Sequence, residues 1–493
     1  MNHQISRRNA LKTTAAGGLS LLAPWAAAKP KKRPNIIYIL ADDLGYGDLS
    51  CLNEESKLHT VNLDRIADTG VKFTDAHSGS AVCTPTRYGI LTGRYCWRSK
   101  LKSGVLYGYS KRLIEQGRMT VGSFLQQQGY HTACIGKWHL GMDWAGEKDN
   151  YDVTQPIQNG PNSVGFDYFF GISASLDMPP YVYIENDGIT AAPDRETENK
   201  DYKGFWRKGP TGADFKHEDV LPKVTEKSVE YIDKHSKTDQ PFFMYIPLAA
   251  PHTPILPTKE FQGKSGTNLY GDFVLQCDHS VGQILDALSR NGITNDTLII
   301  FTSDNGCSPR AEFDELEAVG HDPSYVFRGH KADIFEGGHR IPFIARWPGM
   351  IAPGSVSDET TCLTDLLATC AAIVDEPLPS DAGEDSYNIL PALLGEITDG
   401  PIREATVHHS INGSFSIRQG KWKLNFCPGS GGWSDPRPNK AKEMNLPPVQ
   451  LYDIENDAAE TKNLYKKHPK VVAQLTKLLD HYKQSGRSAP FTR

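Results

Sequence analysis

The chain has 493 residues, enough for one large domain with an appendage or for two to four smaller domains. Hydrophobic residues make up 39% and charged residues 23%, proportions that exclude a disordered or fibrous chain. The balance of 53 basic against 59 acidic residues leaves a net charge of -6, which gives no electrostatic basis for a nucleic-acid partner but leaves anionic substrates open, since local cations govern their binding.

The N-terminus reads as an address. Ser6-Arg7-Arg8-Asn9-Ala10-Leu11-Lys12 looks like a twin-arginine export motif; a short apolar stretch from Ala15 to Ala23 follows, then a small-residue cleavage site at Ala26-Ala27-Ala28,. The expectation is a signal peptide over residues 1–28, removed as a bacterium exports the folded protein to the periplasm or the medium. The apolar stretch is too short to span a bilayer, and no other run is long and apolar enough to do so. An oxidising destination permits disulfides among the nine cysteines, whose scattered spacing fits neither a zinc knuckle nor a C-x-x-C pair.

Four apolar runs end in polar residues: Asn35 to Ala41, His131 to Gly136, Phe242 to Ala250 and Thr297 to Ser303. Runs apolar on consecutive positions suit strands buried on both faces. Between them, Val61 to Thr69, Thr120 to Gln128, Val220 to His235 and Tyr270 to Asn291 read as helices. The alternation predicts an α/β fold: a large, mostly parallel mixed sheet sandwiched by helices, with ligands bound beyond the carboxyl ends of its strands. After Trp347-Pro348-Gly349 a helical stretch from Thr364 to Val374 leads into a Pro- and Asp-bearing segment. Beyond it, Phe415 to Arg418 and Trp422 to Phe426 read as a hairpin, and Pro469 to Gln484 as an amphipathic terminal helix,. The expected division is a catalytic domain over 33–390 and a C-terminal subdomain, a small antiparallel sheet with that helix, over 400–493.

The polar strand ends hold the candidate chemistry. Asp42-Asp43 follows the first strand, and adjacent carboxylates repel unless a cation neutralises them. Asp304-Asn305 follows another strand, so one sheet edge brings four oxygen donors together. All-oxygen donors favour calcium or magnesium over zinc. Lys137 and His139 alternate in Gly136-Lys137-Trp138-His139-Leu140-Gly141, so an extended backbone would point both to one side. His252 stands in Ala250-Pro251-His252-Thr253-Pro254 and Lys331 in Gly329-His330-Lys331-Ala332-Asp333.

Cys83-Thr84-Pro85-Thr86-Arg87 with Leu91-Thr92-Gly93-Arg94 resembles the C-x-P-x-R…T-G-R element of type I sulfatases of the alkaline-phosphatase superfamily. The Asp-Asp pair, the G-K-W-H-L-G segment, the His252 and Lys331 elements and a Leu451-Tyr452-Asp453 tail occur in that family's order, so the resemblance runs from about Pro34 to the C-terminus. Thr86 stands where Ser or Ala is more usual, which leaves Cys, Pro and Arg intact.

The resemblance implies that a formylglycine-generating enzyme oxidises Cys83 to formylglycine (3-oxoalanine), whose hydrate attacks the sulfur of a carbohydrate or aryl sulfate ester. It implies Ca2+ held by Asp42, Asp43, Asp304, Asn305 and residue 83, with Arg87 favouring the ionised nucleophile. Lys137, Lys331 and His252 would hold sulfate, His252 or Lys331 would protonate the leaving alkoxide, and His139 would take the proton that lets sulfate depart. Tyr107, Tyr109, Trp144 and Trp206 are candidate sugar-stacking rings, and Arg98, Lys100, His321 and Arg328 candidate readers of hydroxyl or sulfate groups. Two alternatives stay open at this point: a phosphomonoesterase or phosphodiesterase with an unmodified Cys83 nucleophile and two zinc ions, and an inactive, calcium-stabilised glycan-binding protein.

Overall fold

The strand Asn35–Ala41 explains how the molecule is layered. Its even-numbered residues Ile36, Tyr38 and Leu40 enter one apolar cluster and Ile37, Ile39 and Ala41 enter another, because successive side chains on a strand point to opposite faces. A strand with both faces buried belongs in the middle of a sheet, and there it lies, between Thr297–Ser303 and Phe242–Pro247. The computed structural model describes residues 33–147 and 150–491; the expected signal peptide over 1–28 lies outside the described residues.

The main sheet has ten strands. Five at its centre run parallel, in the order Thr297–Ser303, Asn35–Ala41, Phe242–Pro247, His131–Lys137 and Tyr168–Ile172. Phe343–Arg346 and Val71–Phe73 extend one side and Ile184–Glu185 the other, with antiparallel pairings that make the sheet mixed. The helices Val61–Asp68, Val220–His235 and Leu269–Arg290 cover one face, burying Leu63, Ile66, Val224, Ile232, Val274 and Val281. The helices Cys83–Thr92, Val121–Gln127 and Leu366–Val374 cover the other.

The expected strands and helices fall in place within three residues, and two departures are informative. The strand expected from Phe242 to Ala250 ends at Pro247, which has no N–H to give the ladder, and the chain beyond it carries His252 across the sheet edge. The helix Cys83–Thr92 has no counterpart among the expected helices. Its sequence does carry the signals: Pro85 in the first turn, where no intrahelical N–H is needed, and Gly93 past the end, where φ is 63°,.

A four-stranded antiparallel sheet follows in the order Thr406–His409, Phe415–Gln419, Trp422–Asn425 and Gln450–Asp453. The helix Pro469–Ser485 packs its Leu475, Leu479 and Tyr482 against this sheet and against Tyr95 and Trp97 of the main body. All nine cysteines are unpaired, so the disulfides that export would permit are not part of this fold. Among the described residues, no helix is long and apolar enough to cross a membrane.

Candidate active site

Asp42 and Asp43 extend past the end of one central strand, and Asp304 and Asn305 past the end of its neighbour, where Ala41 pairs with Ser303. The register therefore sets four oxygen-bearing side chains side by side, all buried at 0 to 1% exposure. The Asp43 amide donates to Asp304 Oδ1 at 3.2 Å and Asn305 Nδ2 to Asp43 Oδ1 at 2.7 Å. Asp43 takes a left-handed φ of 64° to make this turn, a conformation that costs a non-glycine residue energy and is characteristic of functional sites. Two oxygens, Asp42 Oδ1 and Asn305 Oδ1, are buried with no hydrogen-bond partner. Buried acceptors without partners are costly, and a hard divalent cation satisfies them, so the donor set fits calcium.

Cations enclose these carboxylates. Arg87 donates from Nε and Nη2 to Asp304 Oδ2 at 3.0 and 2.8 Å, and from Nη1 to the Lys137 carbonyl at 2.9 Å. Lys137 Nζ pairs with Asp42, and Lys331 Nζ lies 2.7 Å from the Asp43 carboxylate. Burial alone would raise the Asp42 carboxyl, but Lys137, His252 and Arg87 hold it well below the usual range. Burial, with the Asp42 charge added, pushes Asp304 up to about 7 despite Arg87.

Cys83 and Arg87 lie one turn apart on the same helix, so the helix that begins at Cys83 also supplies the guanidinium behind Asp304. Asp42, Cys83 and Asp304 come close enough for one ion to touch an atom of each. The helix amino end carries a partial positive charge, which favours an anion in front of residue 83. Burial raises the Cys83 thiol against the pull of Lys137 and Lys331. Thr86 uses its hydroxyl on the Ser80 carbonyl at 3.0 Å, so the unusual residue of the motif is accommodated inside the fold.

The expected alternation of Lys137 and His139 does not occur. Lys137 ends its strand, and His139 adopts φ 56°, so the backbone is not extended through both and the chain turns between them. His139 Nε2 is 2.8 Å from the Leu106 carbonyl, which makes it the protonated nitrogen, while Nδ1 is buried without a partner. Burial, then Lys137, holds His139 well below the ordinary histidine value, leaving a neutral ring with one free lone pair. His252 Nδ1 lies 2.5 Å from the Thr253 carbonyl, and Nε2 faces Asp43 at 3.6 Å. All six expected catalytic residues and all the expected metal ligands thus gather at one edge of the sheet.

The sulfatase family model matches residues 34–375. An N-acetylgalactosamine-6-O-sulfatase of Bacteroides thetaiotaomicron is 36% identical, over 92% of this chain and 93% of that protein. The chain belongs to the sulfatase family. Human arylsulfatase A is 33% identical over 90% of this sulfatase and 85% of its own length. A solved Bacteroides thetaiotaomicron structure, described under metabolism of multiple glycosaminoglycans, superposes with a TM-score of 0.82 at 35% identity, covering 92% of this chain and 100% of that one. A structure solved with a bound neocarrahexaose, at 22% identity and a TM-score of 0.70, shares the fold over 92% of this chain and 93% of its own. These are relatives of a formylglycine-dependent, calcium-using family, and sulfate-ester hydrolysis is the activity of this enzyme.

The sulfatase opens its site through a pocket of about 390 Å³ that holds Cys83, His252 and Lys331 at its inner end. Tyr107, 56% exposed, stands on its wall, and Tyr109 lines the groove beyond. The other residues offered as sugar contacts are occupied elsewhere. Trp144 is buried, its indole donating to the Gly108 carbonyl at 2.9 Å, and Trp206 stacks on His217 at 4.0 Å. Arg98 is paired with Asp385, Lys100 with the Arg112 carbonyl, His321 with Asp48 and Arg328 with the Glu460 carbonyl. Sequence reasoning missed Asp177, Arg207 and Arg310, which line the same pocket. Asp177 sits in a turn, Arg207 in the strand Trp206–Gly212 and Arg310 in the short helical turn Pro309–Ala311; no motif links them, and only the fold brings them together.

A second cluster, His77, His339 and His408, also has three ring nitrogens within reach of one ion. Its hydrogen bonds give a different account. Lys423 Nζ lies 3.0 Å from His339 Nε2, His339 Nδ1 3.0 Å from His77 Nδ1, and His77 Nε2 2.8 Å from Asp75. These contacts, together with Arg418 Nη1 2.9 Å from His77 Nε2, engage both ring nitrogens of His339 and of His77 and leave neither ring a nitrogen free for an ion. His339 and His408 are stacked at 3.8 Å with their planes 8° apart, which prevents their in-plane lone pairs from converging on one ion.

Proposed function

We propose that this sulfatase removes O-sulfate from a sulfated carbohydrate, with 6-sulfated N-acetylgalactosamine as the leading substrate, through formylglycine formed from Cys83 and a bound Ca2+. The observation that carries the reading is the meeting of Cys83, at a helix amino end, with Asp42, Asp43, Asp304 and Asn305, two of whose buried oxygens lack partners. The relative named for 6-O-sulfated N-acetylgalactosamine supports the sugar.

Asp42, Asp43, Asp304, Asn305 and an oxygen on residue 83 would hold calcium, which supplies charge that favours an ionised nucleophile. Formylglycine at position 83 would supply a hydrated aldehyde, whose two hydroxyls would serve as the nucleophile and as the group through which sulfate could be released. Lys331 and His252 line the pocket beside Cys83; they would hold the sulfate oxygens, with Lys331, or His252 in its protonated form, giving a proton to the departing alkoxide. Lys137, pinned to Asp42, adds positive charge behind the sulfate. Arg87 fixes Asp304 and orients the start of the helix. His139, with Nδ1 unpartnered, is the base that takes the last hydroxyl proton.

The reading includes maturation by a formylglycine-generating enzyme, twin-arginine export with cleavage near Ala28, and a catalytic domain over 33–390 with a C-terminal subdomain over 400–493. Mass spectrometry of the Cys83 peptide, after expression with a formylglycine-generating enzyme, tests the nucleophile: oxidation removes about 18 Da, the difference between thiol and aldehyde. A thiol that persists in a host able to convert a control sulfatase would sink the mechanism. Sulfate release from 6-sulfated N-acetylgalactosamine, absent in Cys83→Ala, tests the substrate. N-terminal sequencing of the exported protein tests the cleavage site.

A further inference from the structure

The pocket above Cys83 contains a carboxylate with no assigned role. Asp177 follows the strand Tyr168–Ile172 and is 7% exposed. Its Oδ2 pairs with Arg207, and its carbonyl accepts from Arg207 N at 3.2 Å, Arg207 Nη1 at 3.1 Å and the Tyr181 hydroxyl at 3.2 Å. The residue is therefore fixed, yet its Oδ1 is buried and has no partner. Ser175 Oγ and Thr253 Oγ1, on the lining of the same pocket, are also buried without partners.

Cations dominate the rest of the cavity: Lys331 stands at the inner end, and Arg207 and Arg310 line its walls. Such a pocket attracts sulfate, but an ionised carboxylate accepts hydrogen bonds and never donates. A second anion brought against it would be repelled, and an apolar group would leave it desolvated and unpaired.

We propose, building on the carbohydrate sulfatase reading, that Asp177 is a specificity residue that accepts a hydrogen bond from a donor on the sulfated sugar ring, a hydroxyl or the acetamido N–H. The sulfatase then selects rings on which that donor is free and rejects rings sulfated at the same position. Arg207 is a positioning residue that holds the carboxylate so that Oδ1 is presented to the ligand. Pre-ordering of this kind matters because a site built to bond a substrate donor discriminates strongly against the analogue lacking it.

The test uses the methyl glycoside of 6-sulfated N-acetylgalactosamine and its 2-deoxy, 3-deoxy and 4-deoxy forms, which separate the acetamido N–H from the two hydroxyls. With the formylglycine-bearing enzyme, one of the deoxy forms loses roughly ten- to a hundredfold in kcat/KM, the worth of a hydrogen bond to a charged group. An added O-sulfate at that position lowers it further. Asp177→Ala removes the discrimination, bringing that deoxy form to within about threefold of the parent, and Asp177→Asn, which keeps the shape, removes the penalty for the added sulfate. Equal turnover of all deoxy forms by the unmutated enzyme, or an unchanged pattern in folded Asp177→Ala, overturns the proposal. Titration calorimetry of the same sugars into Cys83→Ala and Cys83→Ala/Asp177→Ala reads the preference without turnover. Absence of sulfate release from every sugar would therefore count against the substrate reading alone, while the binding pattern still decides Asp177.

Discussion

Asp304 is caught between demands that a cation resolves. Burial and the Asp42 charge push its carboxyl up to about 7, while Arg87 contacts only Oδ2. Asp304→Asn keeps the shape and removes the charge; the expected result is loss of bound calcium, read by elemental analysis, together with a fall in turnover of at least about a hundredfold. Full calcium content in that variant would remove Asp304 from the metal site. His139 presents a different signature, because its free Nδ1 acts after the ester has been cleaved. His139→Ala should slow sulfate release more than the first bond cleavage, so an aryl sulfate should give a burst of phenol before a slow steady state. A uniform slowing with no burst would assign the ring to substrate binding instead. The identities of these residues were open to sequence reasoning, since oxygen donors at strand ends and the Cys83 motif point to one chemistry. Their geometry was not: the turn at His139 depends on φ 56°, which a tryptophan and a histidine in series do not announce.

Among the elements, the continuous apolar strands were the most legible, because a run with both faces buried has few other destinations. The helix that begins at Cys83 was the least legible: all of its residues are buried, so it lacks the polar face by which an amphipathic helix is recognised. Its termination can be tested. Gly93 has φ 63°, and an added Cβ would stand 2.9 Å from Ser386 Cβ and 3.0 Å from Gly383 Cα. Gly93→Ala should destabilise by about 1 to 2 kcal/mol from the left-handed backbone alone, with the close contacts adding to it, as measured by urea unfolding. Gly136 meets a comparable restraint, its Cβ position lying 2.0 Å from the Pro247 carbonyl oxygen. The glycine before Lys137 is thus required by the approach of two neighbouring strands, and only their pairing makes this visible.

For the whole molecule, the seam between the main sheet and the C-terminal sheet is polar and buried. Lys423, fully buried, lies 3.1 Å from Glu336 and 3.0 Å from Glu460. Lys423→Ala should cost about 3 to 5 kcal/mol, because two buried carboxylates lose their cation; an unchanged unfolding midpoint would show that this cation does not hold the seam together. The fold as a whole should also sense acid. Burial, then Arg340, lowers His77 to about 4; burial lowers His409 to about 4; burial, then Arg195, lowers His217 to about 3. An unfolded histidine titrates near 6.5, so the unfolded chain binds more protons than the fold below that pH. The stability these neutral rings contribute is complete above pH 6.5 and is lost as pH falls towards 4 and then 3. Urea midpoints measured between pH 7.5 and 4.5 should therefore drop below about 6.5, and His217→Asn should flatten the slope.

The sequence by itself determined which chemistry-bearing residues the chain possesses, the α/β architecture and the family, because apolar runs, helical periodicity and local motifs are properties of neighbouring positions. Tertiary structure decided what lies far apart in sequence and close in space. It placed Asp304 beside Asp43 through strand register, drew His77, His339 and Lys423 into one hydrogen-bonded cluster, and left a buried oxygen of Asp177 without a partner at the pocket lined by Cys83. Burial and partner choice arise from contacts between remote segments, and it is these contacts that turn a set of polar residues into a site with a defined charge, direction and shape.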